Sequence, residues 1–98
     1  MAGVQTTERP PTDKELLLVS KHIGADFQLL GVGLGLTNAQ IEQIRMNHSF
    51  SVQTQIFQML IAWRNKEGRQ ATVKKFLEAV NDSSIDVDGE ELERIFQL

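Results

Sequence analysis

Over residues 51–68 the chain reads SVQTQIFQMLIAWRNKEG. At a period of 3.6 residues, Val52, Ile56, Met59, Leu60 and Trp63 fall on one stripe, and Gln53, Gln55, Gln58, Arg64 and Lys66 lie mostly off it. The spacing predicts one long amphipathic helix, capped by Ser51 and ended by Gly68. At about 1.5 Å per residue it is long enough to cross a small domain nearly end to end. Its stripe carries the only tryptophan, so it is expected to be the central helix of a bundle. Phe57, beside the stripe, is either core edge or contact surface.

Shorter helices are predicted around it. Thr12 and Glu15 form a capping-box pattern, with Asp13 adding negative charge near the helix start. The helix that follows carries Leu16, Val19 and Ile23 on one face, with Leu17 and Leu18 widening it and Gly24 as the stop. A second helix should start near Asp26 and turn Phe27, Leu30 and Leu34 inward. Gly31 and Gly33 lie inside it at about 1 kcal/mol each relative to alanine, so it is expected to be short, irregular or bent. Leu36 leads to a second capping box, Thr37 with Gln40, and a helix presenting Ile41 and Ile44 that frays near Asn47-His48. After Arg69-Gln70-Ala71, Thr72 opens a helix with Val73, Phe76, Leu77 and Val80 inward. Residues 81–87 read as a loop. Asp88 with Glu91 suggests a third capping pair before Leu92, Ile95 and Phe96. The expected core is Leu16, Ile23, Phe27, Leu34, Leu36, Ile41, Ile44, Val52, Ile56, Leu60, Trp63, Phe76, Leu77, Leu92 and Ile95. Roughly six helices and no alternating strand pattern make the fold class all-α.

Composition narrows the function classes. The 98 residues suffice for one domain with a modest core. Residues 1–11 are polar and end in Pro10-Pro11, which suggests a flexible leader contributing little to the core, ahead of a domain over 12–98. Hydrophobic content of 41% and charged content of 23% argue against wholesale disorder. Without cysteine there is no disulfide, thiolate ligand or cysteine nucleophile. No apolar run is of bilayer length, and MAGVQTTERPP lacks a signal core, so a soluble cytoplasmic protein is expected. A net charge of −3 gives no general attraction to nucleic acid or anionic membrane.

Two apparent chemical motifs fail on spacing. Gly31-Val32-Gly33-Leu34-Gly35 resembles a phosphate loop, but Leu36 stands where a dinucleotide fingerprint needs glycine or alanine, and no strand precedes it. Residues 84–89 resemble the start of a calcium loop. With Gly89 at the sixth position, however, Ser84 and Ile95 occupy the places of the leading carboxylate and the bidentate glutamate. His22 and His48 have no ligand cluster near them in sequence, and no nucleophile, base and orienting group stand together. No catalytic residue, metal ligand or cofactor is assigned.

Charge is the more informative signal. Residues 45–75 contain Arg45, Arg64, Lys66, Arg69, Lys74 and Lys75 against a single acid, Glu67. Residues 78–93 contain Glu78, Asp82, Asp86, Asp88, Glu90, Glu91 and Glu93 with no base. A basic middle and an acidic end are either ordinary solvated helix faces or a bipolar surface for complementary partners. Head-to-tail contacts of that kind build rings or open arrays.

Several pieces in this order carry a family resemblance. They are Gly24-Ala25-Asp26-Phe27, Leu34-Gly35-Leu36-Thr37 with Ile41, Asn47-His48, and Val52-Gln53-Thr54-Gln55. Ile61-Ala62-Trp63-Arg64, Gly68-Arg69-Gln70-Ala71-Thr72 and Val87-Asp88 complete the set. Together they resemble a death domain over nearly all of residues 12–98. Within that family the set is most similar to the RAIDD-type caspase-recruiting adaptors. The departures are Phe27, where the family usually has tryptophan, and the glycines of the second helix.

The resemblance implies a six-helix antiparallel Greek-key bundle without catalytic activity or cofactor. It also implies binding to other death-domain proteins, heterotypic or homotypic, and through them, indirectly, to caspases. An apoptotic, caspase-activating platform is the expected assembly, with an innate-immune or inflammatory complex as the alternative. Neither nucleic acid nor membrane insertion is expected. One family contact sets the end of the fourth helix and the following loop against a neighbour's loop before the sixth. Here those regions hold Arg64, Lys66, Arg69 and Gln70 on one side, and Asp82, Asp86 and Asp88 on the other; Arg45 joins the basic side on charge. Such adaptors carry a caspase-recruitment domain ahead of the death domain, so this chain is expected to be an excised domain or a single-domain member.

Overall fold

Side-chain caps decide where most helices begin. Thr12 Oγ1 accepts from the Glu15 N–H at 3.1 Å while the Glu15 carboxylate accepts from the Thr12 N–H at 2.9 Å. Thr37 and Gln40 repeat the arrangement at 3.1 and 2.8 Å. Ser51 accepts from Thr54 N–H, and Thr72 from Lys75 N–H. Each satisfies a donor that the helix itself leaves unpaired. In the computed structural model, which describes residues 7–98, six α-helices result. They are α1 Asp13–Ser20, α2 Phe27–Gly33, α3 Asn38–Asn47, α4 Val52–Glu67, α5 Val73–Ser83 and α6 Gly89–Phe96, with a 3-10 turn Gly68–Gln70 between α4 and α5. No strand occurs among the described residues.

Three boundaries differ from expectation. α1 stops at Ser20, ahead of Gly24, because Ser20 Oγ donates to Leu17 O and the Lys21 and His22 N–H groups bond three residues back, tightening the last turn. α5 continues to Ser83, so Asp82 is helical rather than in a loop; Ser84, at φ 58°, ends it in the left-handed region. Asp88 caps α6 through Glu90 N–H, and no reciprocal pair with Glu91 forms, since the Glu91 carboxylate accepts from Arg94 at 3.0 Å.

α4 is the beam of the core. Ile56, Met59, Leu60 and Trp63 are buried along it. α1 lies against α4 and α6, and α2 lies against α3, α4 and α5, so partners distant in sequence close the bundle. Trp63, Phe76 and Phe96 pack in succession, the first pair tilted and the second edge to face, at centroid distances of 6.1 and 5.9 Å, tying α4, α5 and α6 together. Leu16, Ile23, Phe27, Leu34, Leu36, Ile41 and Leu92 are also buried, while Ile44, Phe57, Leu77 and Ile95 are part-buried at the edge. Val52 is a correction: it is 50% exposed. As the first residue of α4 it stands at the α3–α4 turn, where Phe50 is exposed as well.

Two further features were not expected. α2 is short, as its glycines suggest, but Gly31 is required by packing: a Cβ there would lie 2.7 Å from Met59 Sδ and 2.8 Å from Ile41 Cδ1. The leader is corrected over residues 7–11; residues 1–6 lie outside the described residues. Thr7 and Arg9 carbonyls accept from the Lys74 and Val73 N–H groups at 2.8 Å each, completing the cap of α5 that Thr72 begins. Pro11 is fully buried, so this segment is part of the domain.

Candidate interaction surface

The end of α4 and the start of α5 form a basic edge. Gly68, at φ 61°, stops α4, and the 3-10 turn carries the chain into α5. Lys66, Arg69, Gln70, Lys74 and Lys75 are all exposed there. Lys66 Nζ donates to Gly35 O at 2.8 Å, which steadies it beside the α2–α3 link. Arg69, Gln70, Thr72, Lys74 and Lys75 line a shallow depression, with Glu8 and Glu78 at its margin. Glu8 lies 4.0 Å from Lys74.

Two of the cations grouped by sequence are engaged elsewhere. Arg64 is 21% exposed at its side chain, bridges Asp13, and donates to Pro11 O at 3.1 Å. Arg45 stands 4.8 Å over the Phe27 ring and donates to Gln28 at 3.2 Å. Arg45 is thus a brace between α3 and α2, and Arg64 a brace between α4 and the start of α1. Neither interaction could be read from charge spacing, because both partners are distant in sequence.

The acidic end lies across α5. Asp82 is in the last turn of α5, Asp86 in the following loop, and Asp88 at the cap of α6. Asp82, Asp86, Glu90 and Glu93 are exposed, and none has an ion-pair partner among the described residues. Lys74 and Lys75 open α5 and Asp82 closes it, about 11 Å apart along the axis at 1.5 Å per residue. Both placements oppose the helix dipole, which favours acids at the N-terminus and bases at the C-terminus. Asp88, by contrast, sits at a helix start and has a capping role.

The N-terminal segment supplies an ion pair that the sequence alone did not suggest. Arg9 makes a bidentate contact with Glu15 at 2.8 and 2.7 Å. Burial alone would raise the Glu15 carboxyl's pKa; the Arg9 guanidinium and the Thr12 N–H outweigh it and hold the group below its ordinary range. The same hydrogen bond raises Arg9. An exposed apolar group, Met46, Phe50 and Val52, marks the α3–α4 turn. No helical stripe pointed to Phe50. Among the described residues, no three His, Asp or Glu side chains converge as a metal site, and no helix is long and apolar enough to cross a membrane.

Comparison with known proteins accounts for this architecture. Residues 13–87 match the death-domain family model. The chain is also 26% identical over 78 residues to THO complex subunit 1 of Homo sapiens, a match covering 80% of this chain and 12% of that protein. The chain therefore spans about an eighth of the length of this curated relative. Six helices built on α4, with the family match running from the first residue of α1 to the loop before α6, show that the chain belongs to the death-domain family.

Proposed function

We propose that this chain is a non-enzymatic interaction module that binds other death domains through its charged edges. Death domains are interaction modules and generally lack catalytic activity, which gives the coarse reading. Lys66, Arg69 and Gln70, extended by Lys74 and Lys75, form one docking edge. Asp82 and Asp86, with Asp88 beside them, form the other. Arg64 acts behind the first edge by holding the end of α4. The observation that carries the proposal is the charge order of α5, basic at its start and acidic at its end. It works against the helix and is relieved when each end meets the opposite charge on a neighbour.

The likeness to RAIDD-type adaptors supports a caspase-activating platform in the cytoplasm, with an inflammatory signalling complex as the alternative. The human relative is by name a subunit of a complex, which favours a second reading: a domain that holds together an assembly of another kind. Identifying the chains captured from native cytosol separates these readings. The surface itself is tested by Arg69→Glu in pull-down and light scattering. Partner binding should fall while the helical signal and melting midpoint hold, and unchanged binding would sink the Arg69 edge.

A further inference from the structure

Beside the acidic loop the structure opens an apolar groove. α5 and α6, joined through Phe76 and Phe96, enclose a depression of about 430 Å³. Leu77, Val80, Val87 and Leu92 line it. Leu98, 52% exposed, stands at its margin. The Leu98 and Gln97 N–H groups bond Glu93 O and Arg94 O at 2.8 and 3.2 Å, a Schellman closure that sets Leu98 in place. The charged side chain lining the groove is Glu93, and Asp86 lies in the loop between the lining residues Ile85 and Val87. No cation lines it; Arg94 faces the opposite side of α6, toward α1. Such a site fits an apolar side chain held between two bases.

This chain presents that complement on α1. Lys14, Leu17 and Lys21 follow at i, i+3 and i+7, on one exposed stripe. Leu17 is 41% exposed, and neither lysine has an ion-pair partner among the described residues. We propose that a second copy of this chain seats its Leu17 in the α5–α6 groove, with Lys14 and Lys21 meeting the acids at the rim. The inference rests on reading the chain as an interaction module, but it uses α1 rather than the end of α4. The contact joins two different faces, so it propagates into a ring or an open array.

The test is sedimentation velocity of the full chain over a concentration series at low salt. Concentration-dependent association is expected, weakened at least tenfold by Leu17→Ser. The Lys14→Glu/Lys21→Glu variant and the Asp86→Lys/Glu93→Lys variant should each fail to associate alone and should associate when mixed, which also shows that both are folded. A wild-type chain that stays monomeric throughout overturns the inference, as does association indifferent to Leu17→Ser or a mixture that does not recover. Association lost with Arg69→Glu and kept with Leu17→Ser also overturns it, and leaves the Arg69 edge standing.

Discussion

Arg64 is bound to Asp13 within its own molecule, and its guanidinium also donates to Pro11 O at 3.1 Å. It therefore joins the end of α4 to the entry of α1, whereas Arg69, five residues on, is exposed. Arg64→Ala should lower stability by roughly 1–2 kcal/mol, since a hydrogen-bonded, part-buried charge is removed. Arg69→Ala should change it by less than about 0.5 kcal/mol. Thermal and urea melts of the two variants check the difference. Equal melting points would mean that Arg64 has no bracing role.

Gly31 and Gly33 should respond to alanine with opposite signs. A Cβ at Gly31 meets Met59 Sδ and Ile41 Cδ1 below 3 Å, and both of those side chains are fully buried. Overpacking should cost about 1–3 kcal/mol, more than the helix-propensity gain of about 1 kcal/mol. At Gly33 the nearest neighbour is Ala79 O at 3.8 Å, an ordinary contact. Gly33→Ala should be neutral to stabilising in urea denaturation.

The Arg9–Glu15 pair should give the domain an acid-sensitive component. The Glu15 carboxyl is held below its ordinary range in the folded chain, so the unfolded chain binds its proton first as pH falls. The stabilisation is present above the unfolded value of about 4.3 and is lost as pH falls through the depressed folded value. In Arg9→Ala the stability deficit relative to wild type should be largest near neutrality and should narrow in acid. Urea midpoints across pH 7 to 2.5 check this; a deficit independent of pH would remove Glu15 as its source.

Asp82→Lys should separate folding from binding. It exchanges an acid for a base in the last turn of α5, where the dipole favours positive charge, and should add roughly 0.3–1 kcal/mol at low ionic strength. The same change should weaken capture of a death-domain partner that docks on the acidic edge. Wild-type binding should also fall with salt, because exposed charges act over about 10 Å at 0.1 M. A variant that is both less stable and fully binding would contradict the argument.

The sequence by itself determined the all-α class, the beam from Ile56 to Trp63 and the caps at Thr12, Thr37, Ser51 and Thr72. These depend on groups at most a few residues apart, within reach of helical periodicity and of one side chain's hydrogen bonds. It also showed the basic and acidic halves of the charge pattern. Only the tertiary structure decided which of those charges are available. Arg64 meets Asp13 and Pro11, and Arg45 covers Phe27, through approaches between elements that no spacing encodes. The same holds for Val52, exposed at the α3–α4 turn where α4 begins, and for Gly31, whose missing Cβ matters only because Ile41 and Met59 converge on it. It holds for the segment from Thr7 to Pro11 as well, ordered by the open N–H groups of α5 more than sixty residues away. Local pattern sets the elements; packing between elements decides which side chains remain for a partner.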